Sequence, residues 1–197
     1  MMKKSRSYLL VIAPFLAALA IESCAEAASP PTVTIKVDGN KSVTFEGEFT
    51  TNVRGEAVDV FHGIPYAEEP QRWRDAEPKV WKDGETVSET RNASHVKPCM
   101  QLSHTPEKCS RPGCMQLGGQ FVVGENDCLR LSVWKPSQSG DNATSTAKLP
   151  VMVWIHGGGL TNGAIVDLRG NNMIDGEGLL FVAVQCKTSI SLFCEAL

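Results

Sequence analysis

The stretch V-M-V-W-I-H-G-G-G-L-T-N-G, residues 151–163, decides the fold. Its first five residues are apolar and three of them are β-branched, which predicts a strand buried on both faces of a mostly parallel sheet. The strand stops at three consecutive glycines, Gly157, Gly158 and Gly159. Because glycine has no Cβ and adopts positive φ, these amides can turn toward one point and let a ligand oxygen approach the backbone. The stretch is therefore a candidate site.

Three interpretations of the glycines compete. The first is a glycine-rich turn after a core strand, with no ligand. The second is a dinucleotide-binding fingerprint, G-x-G-x-x-G, which is excluded because position 162 is Asn162 rather than glycine. The third is an oxyanion hole, in which the loss of one amide donor typically removes about 3 to 4 kcal/mol of transition-state stabilisation.

The amino terminus predicts a secreted chain. Basic residues within residues 1–7 precede an apolar run at residues 8–21, and A-E-A at residues 25–27 has small residues where a signal peptidase cleaves. The alternative is a retained membrane anchor, which is disfavoured because the run is short for a bilayer and contains Pro14. We expect a signal peptide at residues 1–27, an extracellular location and no membrane association after cleavage.

Composition narrows the function classes. The 197 residues are 42% hydrophobic and 21% charged, which is typical of one globular domain. Without residues 1–27 the chain has 16 Lys plus Arg and 20 Asp plus Glu, so it lacks the excess of positive charge that is typical of nucleic-acid-binding proteins. Six of the seven cysteines remain, an even number that favours disulfides over zinc, and we expect no metal and no cofactor. Sequons predict N-glycosylation at Asn92 and Asn142.

Most of the predicted elements are strands. Alternating residues at 32–37 and 42–50 flank the turn residues Asp38 and Gly39, which predicts an antiparallel hairpin. Further strands are predicted at residues 58–64, 129–133, 151–155 and 179–185, a strand or loop at 81–99, a long loop at 99–128, a solvated loop at 137–147, and a short helix or loop at 164–178.

Three separated motifs indicate one family. The first is F-H-G-I-P-Y-A at residues 61–67, followed by R-W at 72–73 and by Pro78. The second is N-D-C-L-R-L-S-V-W-K-P at residues 126–136, and the third is H-G-G-G at residues 156–159. They resemble the motifs of the type-B carboxylesterase and lipase family, which is cholinesterase-like and has the α/β-hydrolase fold. The family patterns are F-x-G-I-P-Y-A with R-F-x-x-P, E-D-C-L-Y-L-N-V-x-x-P, and the HGGG loop of the oxyanion hole.

The resemblance implies an α/β protein: an incomplete α/β-hydrolase fold with an N-terminal antiparallel hairpin and a truncated central sheet. It implies that Gly158 and Gly159 donate to the oxyanion, with Gly157 supporting them. It also implies a small-molecule ester as the substrate of the full-length form. Two residues depart from the family: Asn126 replaces an acid that pairs with an arginine like Arg72, and Arg130 replaces an aromatic residue.

In the family a disulfide closes the loop at the positions of Cys99 and Cys128, and a closure of this length stabilises a fold by roughly 3 to 4 kcal/mol. Cys109 and Cys114 lie inside the loop and are expected to pair with each other. Cholinesterases present a choline-binding tryptophan on this loop. Here the loop has no tryptophan, so a quaternary ammonium substrate is disfavoured.

The sequence contains no G-x-S-x-G nucleophile elbow. Its four histidines, His62, His95, His104 and His156, all precede the place where the family has its catalytic histidine. We expect His156 to be a structural hydrogen-bonding residue rather than a base, and Tyr66 and Trp73 to pack the domain edge rather than contact substrate. A chain without the triad is expected to have no esterase turnover.

The motifs define three segments: a signal peptide at residues 1–27, the N-terminal part of a carboxylesterase domain at 28–185, and a divergent tail at 186–197. The simplest account is a truncated product of a full-length secreted carboxylesterase, which we expect to fold poorly alone because the sheet faces at residues 151–155 and 179–184 lack cover. The alternative is a non-catalytic relative, similar to the cholinesterase-like adhesion proteins, that binds a partner.

Overall fold

The structure, a computed structural model, describes residues 29–69, 75–103, 116–117, 120–137, 148–159, 161–166, 168–174 and 178–187. These residues form the strands β1 (Thr32–Val37), β2 (Lys41–Glu46), β3 (Glu48–Thr51), β4 (Ala57–Pro65), β5 (Ala67–Glu68), β6 (Glu77–Pro78), β7 (Glu85–Val87), β8 (Gln101–Ser103), β9 (Gln116–Leu117), β10 (Gln120–Val123), β11 (Arg130–Pro136), β12 (Val151–Ile155) and β13 (Leu180–Val184). The helices among them are short 3-10 turns at Glu89–Arg91, Ala93–His95 and Gly170–Met173.

A five-stranded sheet of order β12-β13-β11-β4-β3 carries the candidate site. β12 and β13 are parallel, whereas β13-β11, β11-β4 and β4-β3 are antiparallel. The prediction of a mostly parallel sheet is therefore wrong for the described residues. The connection between β3 and β4 is residues 52–56, and a connection this short permits only an antiparallel pair.

The predicted amino-terminal hairpin is confirmed as β1 and β2, with Asp38 at φ 45° and Gly39 at φ 82° in the turn. The second predicted strand, residues 42–50, divides at Gly47. A Cβ at Gly47 would lie 2.5 Å from the carbonyl oxygen of Val60, so the chain passes too close to β4 for any other residue. β2 consequently pairs with β1 and β7, while β3 joins the central sheet.

Two apolar clusters cover the two faces of the central sheet. One surrounds Trp134 and Phe181, whose ring centroids are 5.6 Å apart. The other surrounds Phe45 and Trp81, 5.4 Å apart, with Val133 packed against it. Because neighbouring residues of β11 point to opposite faces, the strand contributes to both clusters. Both faces of the middle strands of the sheet are therefore covered by apolar side chains.

The edge strand β12 is not buried, contrary to the prediction for Val151–Ile155. Its exposed fractions are 58% at Val151, 44% at Met152, 56% at Val153 and 52% at Ile155. β12 pairs with β13 alone among the described residues, and therefore has one unpaired edge and little cover. This agrees with the expectation that the sheet faces at residues 151–155 lack cover. The same expectation is wrong for residues 179–184, because Phe181, Ala183 and Val184 of β13 are buried.

The segment between Cys99 and Cys128 is more regular than predicted. Its described parts form a small antiparallel sheet of order β8-β10-β9, so the expectation of an irregular loop is wrong there. The two cysteines are joined by a disulfide with Cα atoms 5.0 Å apart, as the family resemblance implied. Cys186 is also disulfide-bonded. The predicted Cys109 and Cys114 pair, Asn142, Arg72, Trp73 and the signal peptide all lie outside the described residues.

Candidate functional site

The glycine loop starts where β12 ends, beside the end of β13. Because β12 and β13 run parallel, with Ile155 opposite Val184, the residues that follow both strands meet at the same edge of the sheet. This places His156 next to Gln185 and Cys186. His156 and Gln185 are both buried, whereas the three glycines after His156 are exposed.

The His156 ring is held through both nitrogens. Its Nε2 accepts from the backbone amide of Cys186 at 3.3 Å and lies 3.2 Å from the side-chain nitrogen of Gln185. Its Nδ1 lies 3.1 Å from the carbonyl oxygen of Gly157. Since a backbone amide only donates and a carbonyl only accepts, the proton is on Nδ1. The geometry supports the predicted structural role, because neither nitrogen is free to act as a base.

The carbonyls of the loop point inward and so direct two amides outward. The Gly157 carbonyl accepts from the His156 ring, and the Gly158 carbonyl accepts from the amides of residues 161–162 at 3.1 and 3.2 Å. In a trans peptide the N–H points opposite to the preceding carbonyl. The amides of Gly158 and Gly159 therefore point away from these contacts. Among the described residues neither amide has a hydrogen-bond partner.

Two of the loop positions admit only glycine. Gly158 has φ 140°, and a Cβ there would lie 1.6 Å from the carbonyl oxygen of Asn162. Gly163 has φ 142°, and a Cβ there would lie 2.1 Å from Nδ1 of His156 and 2.3 Å from the Gly157 carbonyl oxygen. The glycines of the motif are therefore required by the closed shape of the loop as well as by access to its amides.

Two buried glutamines, which the sequence interpretation missed, fasten the far end of the loop. Gln101 accepts from the Gly163 amide at 2.6 Å and donates to its carbonyl at 3.1 Å. Gln185 accepts from the Ile165 amide at 2.9 Å. A single glutamine at a strand end has no periodic or motif signal, so only the folded arrangement identifies the pair.

Tyr66 connects the F-H-G-I-P-Y-A motif to this site. Its hydroxyl donates to the carbonyl oxygen of Gln185 at 3.0 Å, and burial raises the pKa of Tyr66 to about 12. Beyond Gln185, Lys187 and Glu69 form a buried ion pair. The hydrogen bond to Gln185 gives Tyr66 a structural role near the site.

Other predicted features lie elsewhere. His62, on β4, pairs with Glu48 at 2.7 Å and is three strands away from β12. Arg130, which replaces the family's aromatic residue, pairs with Asp127 at 2.6 Å and Glu89 at 3.0 Å. Within the described ranges, no group of three His, Cys, Asp or Glu side chains could hold a metal ion. No described helix has the length and apolar character required to span a membrane.

The fold is similar to part of the fold of solved esterases. Juvenile hormone esterase from Manduca sexta, with OTFP covalently attached, has a TM-score of 0.52 and 19% identity, with 83% of this chain and 28% of that chain covered. An esterase from Clostridium hathewayi that hydrolyses aliphatic aromatic polyesters has a TM-score of 0.50 and 20% identity, with 80% and 29% covered. The fold is thus that of an α/β-hydrolase in part.

The chain belongs to the carboxylesterase family, whose model matches residues 30–191. Mus musculus carboxylesterase 1F is 33% identical over 172 residues, which is 85% of this chain and 28% of that protein. Phenmedipham hydrolase from Pseudarthrobacter oxydans is 36% identical over 115 residues, or 53% of this chain and 19% of that protein. The chain therefore spans 28% and 19% of the length of these two relatives.

Proposed function

We propose that this chain is the oxyanion-binding portion of a secreted carboxylic ester hydrolase that acts through an acyl-enzyme. The observation that carries the proposal is the outward direction of the Gly158 and Gly159 amides at the end of β12. Such amides stabilise the negative oxygen of a tetrahedral intermediate, and one donor is typically worth about 3 to 4 kcal/mol in the transition state. Gly157 supports them by fixing the His156 ring.

The 197-residue chain supplies only this part of the chemistry. Covalent catalysis requires a serine elbow, a histidine that takes its proton and an acid that orients the histidine. The sequence has no G-x-S-x-G, and His156 uses both ring nitrogens in structural contacts. The elbow would also contribute a further oxyanion donor, the amide after the serine. We therefore propose that this polypeptide by itself has no esterase turnover.

An anion titration tests the site directly. Methylphosphonate, a small analogue of the charged intermediate, is added to the ¹⁵N-labelled full chain at millimolar concentrations. We expect saturable shifts of the Gly158 and Gly159 amide signals. Gly84, an exposed glycine of a distant turn with nothing near its Cβ position, is the internal control and should not shift. Unchanged signals of the loop glycines at saturating probe would overturn the proposal.

Turnover is tested with a simple aryl ester. We expect no hydrolysis by the full chain above the buffer rate, with or without a serine-directed phosphonate. Hydrolysis that the phosphonate does not inhibit would show that another chemistry operates. Sequencing the gene then tests the assignment, because an in-frame Gly-x-Ser-x-Gly after the codon for Gln185 is expected for an esterase.

A non-catalytic binding protein is the second candidate. The exposed apolar residues of β12 favour it, since an uncovered edge strand is suited to pairing with another polypeptide. The two candidates differ in the gene: its complete coding sequence would contain no serine elbow if the protein is a binder.

We also propose that the chain is secreted and N-glycosylated. Asn92 is exposed, and its side-chain oxygen accepts from the Ser94 amide at 2.8 Å, which leaves the amide nitrogen on the solvent side of a tight turn. Expression in a eukaryotic secretory host should give a chain that is shortened near residue 27 and whose gel mobility increases after glycosidase treatment. Asn92→Gln and Asn142→Gln should each remove part of that change. An intracellular chain that keeps its leader would refute this.

A further inference from the structure

Gln185 is completely buried, yet it uses its whole side chain for polar contacts to both ends of the glycine loop. Its oxygen accepts from the Ile165 amide at 2.9 Å. Its nitrogen lies 3.2 Å from Nε2 of His156 and 3.4 Å from the carbonyl oxygen of Gly163. A side chain that contacts the loop before and after its glycines restricts the loop at both ends.

We propose that Gln185 is the positioning residue of the oxyanion loop, and that it acts by holding His156 in the Nδ1–H tautomer. This inference rests on the proposed function and deepens it. The Cys186 amide donates to Nε2 of His156, and the side-chain nitrogen of Gln185, which also can only donate, lies 3.2 Å from the same atom. The two donors share the one lone pair of Nε2, so the ring proton must be on Nδ1. That proton binds the Gly157 carbonyl.

The direction of the Gly158 amide follows from this bond. The Gly157 carbonyl and the Gly158 N–H belong to one trans peptide, so fixing the carbonyl on the His156 ring fixes the N–H on the opposite side. If the His156 proton moved to Nε2, Nδ1 and the Gly157 carbonyl would be two acceptors facing each other. The peptide would then rotate, and the Gly158 amide would lose its outward direction.

The backbone of Gln185 is itself fixed from two sides. Its amide donates to the Arg130 carbonyl at 2.8 Å, and its carbonyl accepts from the Tyr66 hydroxyl at 3.0 Å. The side chain therefore starts from the rigid end of β13 between two neighbouring elements. A positioning group is effective when it is held in this way by contacts outside the site.

The nearly isosteric variant Gln185→Glu tests the mechanism. It keeps the oxygen that accepts from Ile165 but replaces the nitrogen that contacts His156 and the carbonyl oxygens of Gly163 and Cys186 with an acceptor. We expect a fraction of the His156 rings to carry the proton on Nε2, where the new carboxylate accepts it in competition with the Cys186 amide, and long-range ¹H–¹⁵N correlation spectra of the full chain detect this fraction. The amide signals of Gly158 and Gly159 should move with it. A ring that stays in the Nδ1–H form, with these amides unmoved, would overturn the inference.

Gln101→Glu is the matched control. Gln101 also holds Gly163 through both its atoms, but it does not contact His156. The same chemical change should therefore perturb Gly163 and leave the His156 tautomer as it is. A tautomer change of equal size in both variants would show that His156 responds to general loosening of the loop, and would also overturn the inference.

Gln185→Asn provides an uncharged variant in case the buried carboxylate prevents folding. The shorter amide cannot reach both Ile165 and His156, so we expect amide hydrogen exchange at Ile165 to accelerate roughly threefold to tenfold, as for one lost hydrogen bond. The His156 ring should then show both tautomers. Unchanged exchange and a single Nδ1–H form would contradict the role of Gln185.

The methylphosphonate titration separates the two proposals. If the wild-type Gly158 and Gly159 amides do not respond to the probe while Gln185→Glu still switches the tautomer, the oxyanion function fails and the positioning role stands. If the wild-type amides respond and Gln185→Glu binds the probe equally well, the positioning role fails and the oxyanion site stands.

Discussion

The Tyr66 hydroxyl links stability to pH at the scale of single residues. Burial raises its pKa from 10.0 to about 12 in the folded chain. Between these pH values the unfolded chain binds fewer protons than the folded chain, so the free energy of unfolding falls as the pH rises. The contribution of Tyr66 to the free energy of unfolding is fully present below pH 10, and it is lost as the pH rises through the folded-state pKa of about 12.

Urea denaturation between pH 9 and 12 measures this effect. The stability of the wild-type chain should decline more steeply above pH 10 than that of Tyr66→Phe, which cannot ionise there. The chain has two tyrosines, so the difference in absorbance at 295 nm between wild type and Tyr66→Phe isolates Tyr66. Ionisation of Tyr66 near pH 10 in the folded chain would refute the prediction.

A second prediction at the residue scale concerns the stability that depends on Asp59, whose carboxylate is buried in the central sheet. One oxygen pairs with Lys135 at 2.6 Å, and the other has no hydrogen-bond partner in the part of the chain that the structure describes. Lys135→Met should lower the free energy of unfolding by about 2 to 3 kcal/mol, because it leaves the buried Asp59 carboxylate without its charged partner. The partial exposure of Lys135 limits this loss, since water screens the interaction. Urea denaturation at pH 7 gives the value.

The double variant with Asp59→Asn and Lys135→Met is the control for this prediction. It removes both charges, and it should be more stable than Lys135→Met alone. If the double variant is less stable than the single one, the loss comes from packing of the lysine stem rather than from the unpaired carboxylate.

At the scale of elements, the glycine loop should tolerate no side chain at its closing residue. Gly163→Ala places a methyl group against His156 and the Gly157 carbonyl at positive φ, and should reduce stability by about 3 kcal/mol. Gly84→Ala is the matched control: its φ is 74° with open space around it, so the expected loss is about 1 kcal/mol. Equal losses in thermal denaturation would show that the contacts with His156 are unimportant.

The edge strand β12 should cause self-association of the 197-residue chain. Unpaired apolar edge strands pair with one another, and natural proteins often prevent this with lysine. Val153→Lys should therefore increase the monomer fraction in sedimentation velocity and change stability by less than about 0.5 kcal/mol, because Val153 is exposed. Val133→Lys, at a partly buried position of β11, should destabilise the chain instead. Unchanged association in Val153→Lys would contradict the prediction.

At the scale of the whole molecule, the Cys99–Cys128 disulfide connects the small β8-β10-β9 sheet to the start of β11. Its loop has a sequence separation of 29, for which loop-closure entropy gives about 3 to 4 kcal/mol. The double variant Cys99→Ser and Cys128→Ser should lose about this much in urea denaturation. It is preferable to chemical reduction, because Cys186 is disulfide-bonded as well. A loss below about 1 kcal/mol would show that the segment is constrained by other contacts.

The local pattern was sufficient for most strands of the central sheet. The bounds of β4, β12 and β13 lie within one residue of the predicted strands, because alternation and apolar runs act over a few neighbouring residues. β11 begins one residue later than predicted and extends three residues further, to Pro136. The Asp38 and Gly39 turn was also predictable, since both residues tolerate positive φ. The family resemblance added the disulfide between Cys99 and Cys128.

The sequence by itself thus determined the approximate positions of most strands of the central sheet and which loop carries the glycines. The tertiary structure alone decided that β12 is an exposed edge, because the burial of a strand depends on its neighbours and not on its own residues. It alone identified Gln101 and Gln185, which are distant from the glycines along the chain and meet them only when β8, β12 and β13 assemble.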